Sequence, residues 1–134
     1  MLTVMVVDDE PAVRQLTGRV LRDAGYATVE LTDGQDAWNY LQRAGVPVHA
    51  LISDVVMPRM TGTELVARLF DSRPALPIIL MSGYSTRELR ARGLAPSPVP
   101  LLTKPFTNEE LVAMVRSVLD VVPPASSARS STTR

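Results

Sequence analysis

Five side chains in this sequence are of the types that phosphoryl chemistry uses, and each lies at or just beyond the end of a short apolar run. Asp8 and Asp9 follow Val4 to Val7, Asp54 closes the run that starts at Ala50, Ser82 follows Ile78 to Met81, and Lys104 comes just after Val99 to Leu102. An ionisable group so close to a buried strand costs free energy unless it is paired, hydrogen-bonded or holding a metal. Three carboxylates converging on one rim repel one another and call for a cation, and hard oxygen ligands at an open rim suit magnesium. An ammonium and a hydroxyl opposite them suit a phosphoryl group. Taken singly, Asp8 or Asp9 reads as the N-cap of a helix opening at Pro11, Ser82 as a turn residue and Lys104 as a solvated amine. Their joint placement after four different runs is what favours chemistry.

The elements that must hold these residues follow from hydrophobic patterning. None of the four runs alternates as a half-solvated strand does, so they read as strands buried on both faces. Ala27 to Leu31 does alternate, with Thr28 and Glu30 polar, and Pro100 interrupts the last run, which places these two strands at the edges. Between the runs lie helical patterns. Val13, Leu16, Val20, Leu21 and Ala24 share one face behind Pro11, and a second helix follows Asp33-Gly34, burying Ala37, Leu41 and part of Trp38. Thr61-x-x-Glu64, Ser85-x-x-Glu88 and Thr107-x-x-Glu110 have capping-box spacing, and the last opens a stripe of Leu111, Met114, Val115, Val118 and Leu119. Five strands alternating with five helices predict an α/β fold of the flavodoxin-like, doubly wound kind, with a parallel sheet in the order 2-1-3-4-5. In such a sheet the functional crevice lies beyond the carboxyl ends of the strands, where all five polar residues fall.

Length and composition bound the rest. With 134 residues, 46% of them hydrophobic, the chain builds one domain with a real core. The expected division is residues 1–122 as the domain and 123–134 as a disordered Pro/Ser/Thr-rich tail. Fourteen basic and fourteen acidic residues cancel, so no net field recommends nucleic acid as a direct partner. The absence of cysteine excludes disulfides and thiolate metal sites, and no apolar stretch is long enough to insert in a membrane. The expectation is a cytoplasmic protein. His49 is assigned no role, Met57 and Met60 are read as packing, and Arg87, Arg90 and Arg92 as a solvated helix face.

The stretches "VMVVDDEP", "LISDVVMPRMTG", "IILMSGYS" and "LLTKPF" make the chain resemble the receiver domains of bacterial response regulators, from about Val4 to Leu119. Phrases such as "MSGYS", "ARGL" and "KPFTNEEL" look most like receivers on the C-terminal side of hybrid histidine kinases. The resemblance implies that Asp54 is the phosphoacceptor, taking a phosphoryl group from a phosphohistidine of a sensor histidine kinase or a histidine phosphotransfer domain. It implies magnesium as cofactor, held directly by Asp9, Asp54 and the backbone carbonyl of Val56, with Asp8 acting mainly through a water. Ser82 and Lys104 would contact the phosphoryl oxygens, and a cis peptide would precede Pro105. Such a domain catalyses its own phosphorylation and dephosphorylation, and is a signalling device more than an enzyme. Two other classes compete. One is a receiver-like scaffold that works without phosphorylation. The other is an aspartate-nucleophile phosphatase of the haloacid dehalogenase type, whose nucleophile follows the first strand in an Asp-x-Asp pattern that this sequence lacks.

The sequence departs from the family pattern at one point. Receivers usually carry Tyr or Phe three residues before the lysine, and here that position is Leu101. Tyr84, two residues after Ser82, is the nearest aromatic able to take over a switching role.

Overall fold

Two-sided burial explains the centre of this structure, a computed structural model that describes residues 1–43, 45–94 and 99–120. The strands β1 (Thr3–Val7), β3 (Ala50–Asp54) and β4 (Ile78–Ser82) are buried along nearly their whole length, as their unbroken apolar runs require. Flanking them are β2 (Ala27–Leu31) and β5 (Leu101–Thr103), giving a five-stranded parallel sheet in the order β2-β1-β3-β4-β5. The predicted architecture and strand order are therefore observed.

Successive side chains of each strand enter opposite cores. Val4, Val6, Ile52, Ile79 and Met81 pack with Val20, Leu21, Leu111 and Val115 of the helices α1 (Pro11–Asp23) and α5 (Asn108–Asp120). Met5, Val7, Leu51 and Leu80 pack instead with Ala37, Leu65, Leu69 and Leu89. Those residues belong to α2 (Gly34–Leu41), α3 (Gly62–Ser72) and α4 (Thr86–Ala91). Each such buried aliphatic side chain is worth about 1.5–3 kcal/mol, so the two cores fix which strand ends share a rim.

Local signals set the helix starts. Asp33 caps α2 through the Asp36 N–H at 2.9 Å, and Thr61 with Glu64 and Ser85 with Glu88 form complete capping boxes. Thr107 and Glu110 exchange the same pair of bonds at the start of α5.

Three expectations need correction. Leu16 does not lie on the buried face of α1 but is 60% exposed, while Thr17 and Gly18 are buried. Gly18 faces Glu30 of β2, whose carboxylate end would have to move to admit a Cβ there. Arg22 then reaches across to Glu30 at 3.0 Å and Thr28 at 2.9 Å. This cover also removes the expected alternation of β2, whose five residues are all half-buried. Finally, β5 begins at Leu101 rather than Val99, because Pro100 has no N–H for the ladder; its carbonyl still accepts from Leu80 at 2.9 Å. The expected tail, residues 123–134, lies outside the described residues.

Candidate functional site

The carboxyl ends of β1, β3, β4 and β5 bring Asp8, Asp9, Asp54, Ser82 and Lys104 to one rim. Pairing of β1 with β3 and of β3 with β4 sets Asp8 and Asp54 side by side, one beyond and one at a strand end. Carboxylate oxygens of Asp8, Asp9 and Asp54 all lie within 4.8 Å of one another. Asp8 is fully buried, Asp54 keeps 14% of its side chain exposed, and Asp9 is exposed. The Lys104 Nζ stands 3.4 Å from Asp8 Oδ2 and 3.6 Å from Asp54 Oδ2. Lys104 is the chain's single lysine, every other cationic side chain being an arginine. That compositional signal was open to reading in the sequence, where only its position drew notice.

Each functional group is held by its neighbours. Asp8 hangs from β2 through its N–H, which donates to the Leu31 carbonyl at 3.1 Å. Its Oδ1 accepts from the Glu10 N–H at 3.0 Å, and its carbonyl accepts from Arg14 at 2.8 Å, a contact the sequence did not reveal. Lys104 is positioned by its own N–H, which donates to the Ser82 carbonyl at 2.7 Å, and a cis peptide joins it to Pro105. Ser82 is buried, its Oγ accepting from the Tyr84 N–H at 2.9 Å. Val56, exposed on the loop after β3, follows Asp54 by two residues.

Burial raises the Asp54 carboxyl from 3.8 to about 6, with the charges of Asp8 and Asp9 adding to the rise. Lys104 and the Val55 N–H, which donates to Asp54 Oδ1 at 2.9 Å, pull the other way without cancelling it. Among the groups of the rim this is therefore a carboxylate whose ionised form is under-stabilised, and a cation placed beside it would restore the balance.

Close backbone approach makes Gly62 a structural requirement of the site. A Cβ at this position would collide with the Asp54 carbonyl and lie 3.0 Å from both Val55 Cα and Leu80 Cδ2. Helix propensity favours alanine by at most about 1 kcal/mol, whereas overpacking against rigid backbone costs about 1–3 kcal/mol. Gly62→Ala is expected to lower the urea midpoint and to displace Asp54 resonances in a heteronuclear NMR spectrum. A raised midpoint with an unshifted Asp54 would contradict this packing.

Tyr84 and Leu101 are half-buried and pack against the same core cluster. Arg87, Arg90 and Arg92 are exposed, as expected, and the Arg92 guanidinium also stacks over the Tyr84 ring at 4.0 Å from its centroid. Arg59 was assigned nothing by the sequence, yet it binds Asp33 and Asp36 across the mouth of the rim. No local spacing encodes such a contact.

The response regulator receiver domain family matches residues 4–116, and the chain belongs to that family. It is 36% identical over 119 residues to the sensor kinase CckA of Brucella abortus, covering 88% of this chain and 12% of CckA. It is 34% identical over 131 residues to the response regulator MprA of Mycobacterium tuberculosis, covering 98% of this chain and 56% of MprA. The chain thus spans about half or less of the length of these curated relatives. Among solved structures, the response regulator TrrA of Thermotoga maritima in complex with Mg2+-BeF superposes with a TM-score of 0.76 at 27% identity, covering 89% of this chain and 100% of that one. No helix among the described residues is long and apolar enough to cross a membrane.

Proposed function

We propose that this domain accepts a phosphoryl group on Asp54 from the phosphohistidine of a sensor histidine kinase or histidine phosphotransfer domain. The observation that carries the reading is the Lys104 ammonium set against both Asp8 and Asp54 at the rim. Transfer of this kind asks little covalent chemistry of a protein beyond in-line positioning and neutralisation of charge on the moving oxygens. A carboxylate oxygen of Asp54 forms the new bond to phosphorus as the bond from phosphorus to the imidazole nitrogen breaks. Lys104 and the Ser82 hydroxyl would receive the phosphoryl oxygens. The product is an acyl phosphate, a hydrolysable link suited to a timed signal.

The donor set of Asp8, Asp9 and Asp54 fits a hard divalent cation such as magnesium. Asp9, Asp54 and the Val56 carbonyl would hold it directly. Asp8, with Oδ1 taken by the Glu10 N–H and Oδ2 facing Lys104, suits contact through a water. When bound, the ion supplies neutralisation of the transferring oxygens. The TrrA complex with Mg2+-BeF supports this assignment. The domain is proposed to act in the cytoplasm as a signalling module, without direct contact to nucleic acid.

Tyr84 is proposed to carry the response that an aromatic at position 101 usually carries. A leucine sliding inward biases two states by about 1 kcal/mol or less. The Tyr84 N–H is instead bonded to the hydroxyl that meets the phosphate. Tyr84→Ala should change both the phosphate lifetime and the beryllofluoride-induced shifts of residues 85–92, whereas Leu101→Ala should mainly lower stability. The reverse pattern would refute the exchange of roles.

Incubation with a phosphorylated histidine kinase, beside turnover of a small phosphate ester, tests the function itself. Rapid transfer without ester turnover is expected. Ester hydrolysis would indicate the phosphatase class, and no transfer from any kinase would indicate the scaffold.

A further inference from the structure

Arg59 combines an unfavourable backbone with a demanding side-chain contact. Its φ of 67° lies in the left-handed region that glycine occupies freely and other residues avoid. Its Nε and Nη2 donate to Asp33 Oδ2 at 2.9 and 2.6 Å, and Nη2 also donates to Asp36 Oδ1 at 3.0 Å. Asp33 is the N-cap of α2 and is only 10% exposed, so its carboxylate is committed both to the helix and to the guanidinium. Burial works against its ionisation, but the Asp36 N–H and Arg59 hold the carboxyl below its ordinary value. An isolated exposed ion pair contributes little. This one differs, because a forked contact to a buried cap keeps a strained loop residue in place.

The two ends of the contact belong to the two sides of the acidic rim. On one side, Arg59 sits in the loop that runs from Asp54 through Val56 to Thr61, where the Met60 N–H closes a local turn onto the Pro58 carbonyl at 2.7 Å. Met57 and Met60 anchor the loop in the core, with Met60 against Gly34 of α2, and Arg59 adds the loop's charged contact to the N-cap of that helix. On the other side, Asp33 lies two residues beyond Leu31, whose carbonyl receives the Asp8 N–H at 3.1 Å. A connected path therefore runs from Asp8 through Leu31, Asp33 and Arg59 to Val56 and Asp54.

We infer that Arg59 is a positioning residue, whose fork to Asp33 and Asp36 sets the spacing between the loop after Asp54 and the turn that holds Asp8. The inference rests on the magnesium reading of the rim, and it assigns to Arg59 the orientation of the Val56 carbonyl toward that site. Arg59 touches neither the ion nor the phosphoryl group.

Magnesium affinity, measured by NMR titration of the whole chain, separates this role from a purely structural one. Arg59→Gly relieves the backbone and removes the fork, while Asp33→Asn keeps a good N-cap and removes the charge. Each is expected to weaken magnesium binding about tenfold, the lower end of what outer contacts of a metal site usually contribute. The double variant should bind no more weakly than the weaker single one, because both break the same contact. In the metal-free protein, hydrogen exchange at the Gly62 amide, which donates to the Val55 carbonyl at 2.8 Å, should accelerate in Arg59→Gly. Unchanged magnesium affinity in Arg59→Gly would overturn the positioning role while leaving the metal site standing. Failure of the wild-type chain to bind magnesium at all would overturn the metal reading, and this inference with it.

Discussion

Replacing Asp54 by asparagine is expected to abolish phosphate incorporation and, near neutral pH, to stabilise the fold by on the order of 2 kcal/mol. The two effects have one cause. Burial lifts the Asp54 carboxyl from 3.8 to about 6, so the folded chain holds a proton there that the unfolded chain has released. Within that window stability falls as pH rises, and above it the cost of the buried charge is fully present. An amide of the same shape carries no such cost. The advantage of Asp54→Asn over the wild type should therefore shrink as pH is lowered through the window and vanish below it. Thermal melts across pH without magnesium test this. Saturating magnesium, which favours the ionised carboxylate, should raise the wild-type melting temperature more than that of the variant. An advantage independent of pH would mean that Asp54 is better solvated than its position at the strand end implies.

Lys104→Met should act in the opposite direction on stability and in the same direction on chemistry. Removing the ammonium leaves the fully buried Asp8 carboxylate without its cationic partner among the described residues, a loss of about 1–3 kcal/mol near neutral pH. It also removes the strongest influence holding the Asp54 carboxyl down, so that group rises further. Loss of a preorganised charge at the transferring oxygens typically slows a reaction about 10²–10³-fold, and phosphorylation by acetyl phosphate should slow by that order. Magnesium, relieved of a competing cation, should bind more tightly. Stopped-flow measurement of phosphorylation beside a magnesium titration would show both effects, and unaltered phosphorylation would remove Lys104 from the mechanism.

Most of what fixes the fold was legible because it repeats with a period. The two-sided burial of β1, β3 and β4 appears as unbroken apolar runs, and the helix starts appear as capping boxes at Thr61, Ser85 and Thr107. The gathering of the candidate residues was legible because a parallel sheet sends every strand end to one rim, so position after a run was enough to bring Asp8, Asp54, Ser82 and Lys104 together. What escaped depends on side chains meeting across the fold. Leu16 looked buried by its spacing, but α1 turns Thr17 and Gly18 inward, with Gly18 set against the Glu30 side chain of β2. Arg92 is exposed as its sequence suggested, but its stacking over Tyr84 across the length of α4 carried no mark in the pattern. Arg59 and Asp33 lie 26 residues apart, a separation at which no periodicity operates.

The identity of the phosphorylated residue is the most direct test of the central claim. Incubation with acetyl phosphate and magnesium, followed by peptide mapping under acidic conditions that preserve acyl phosphates, should place a single alkali-labile phosphate on Asp54 and none on the chain when magnesium is chelated. Phosphate on any other residue, or undiminished incorporation in Asp54→Asn, would contradict the account.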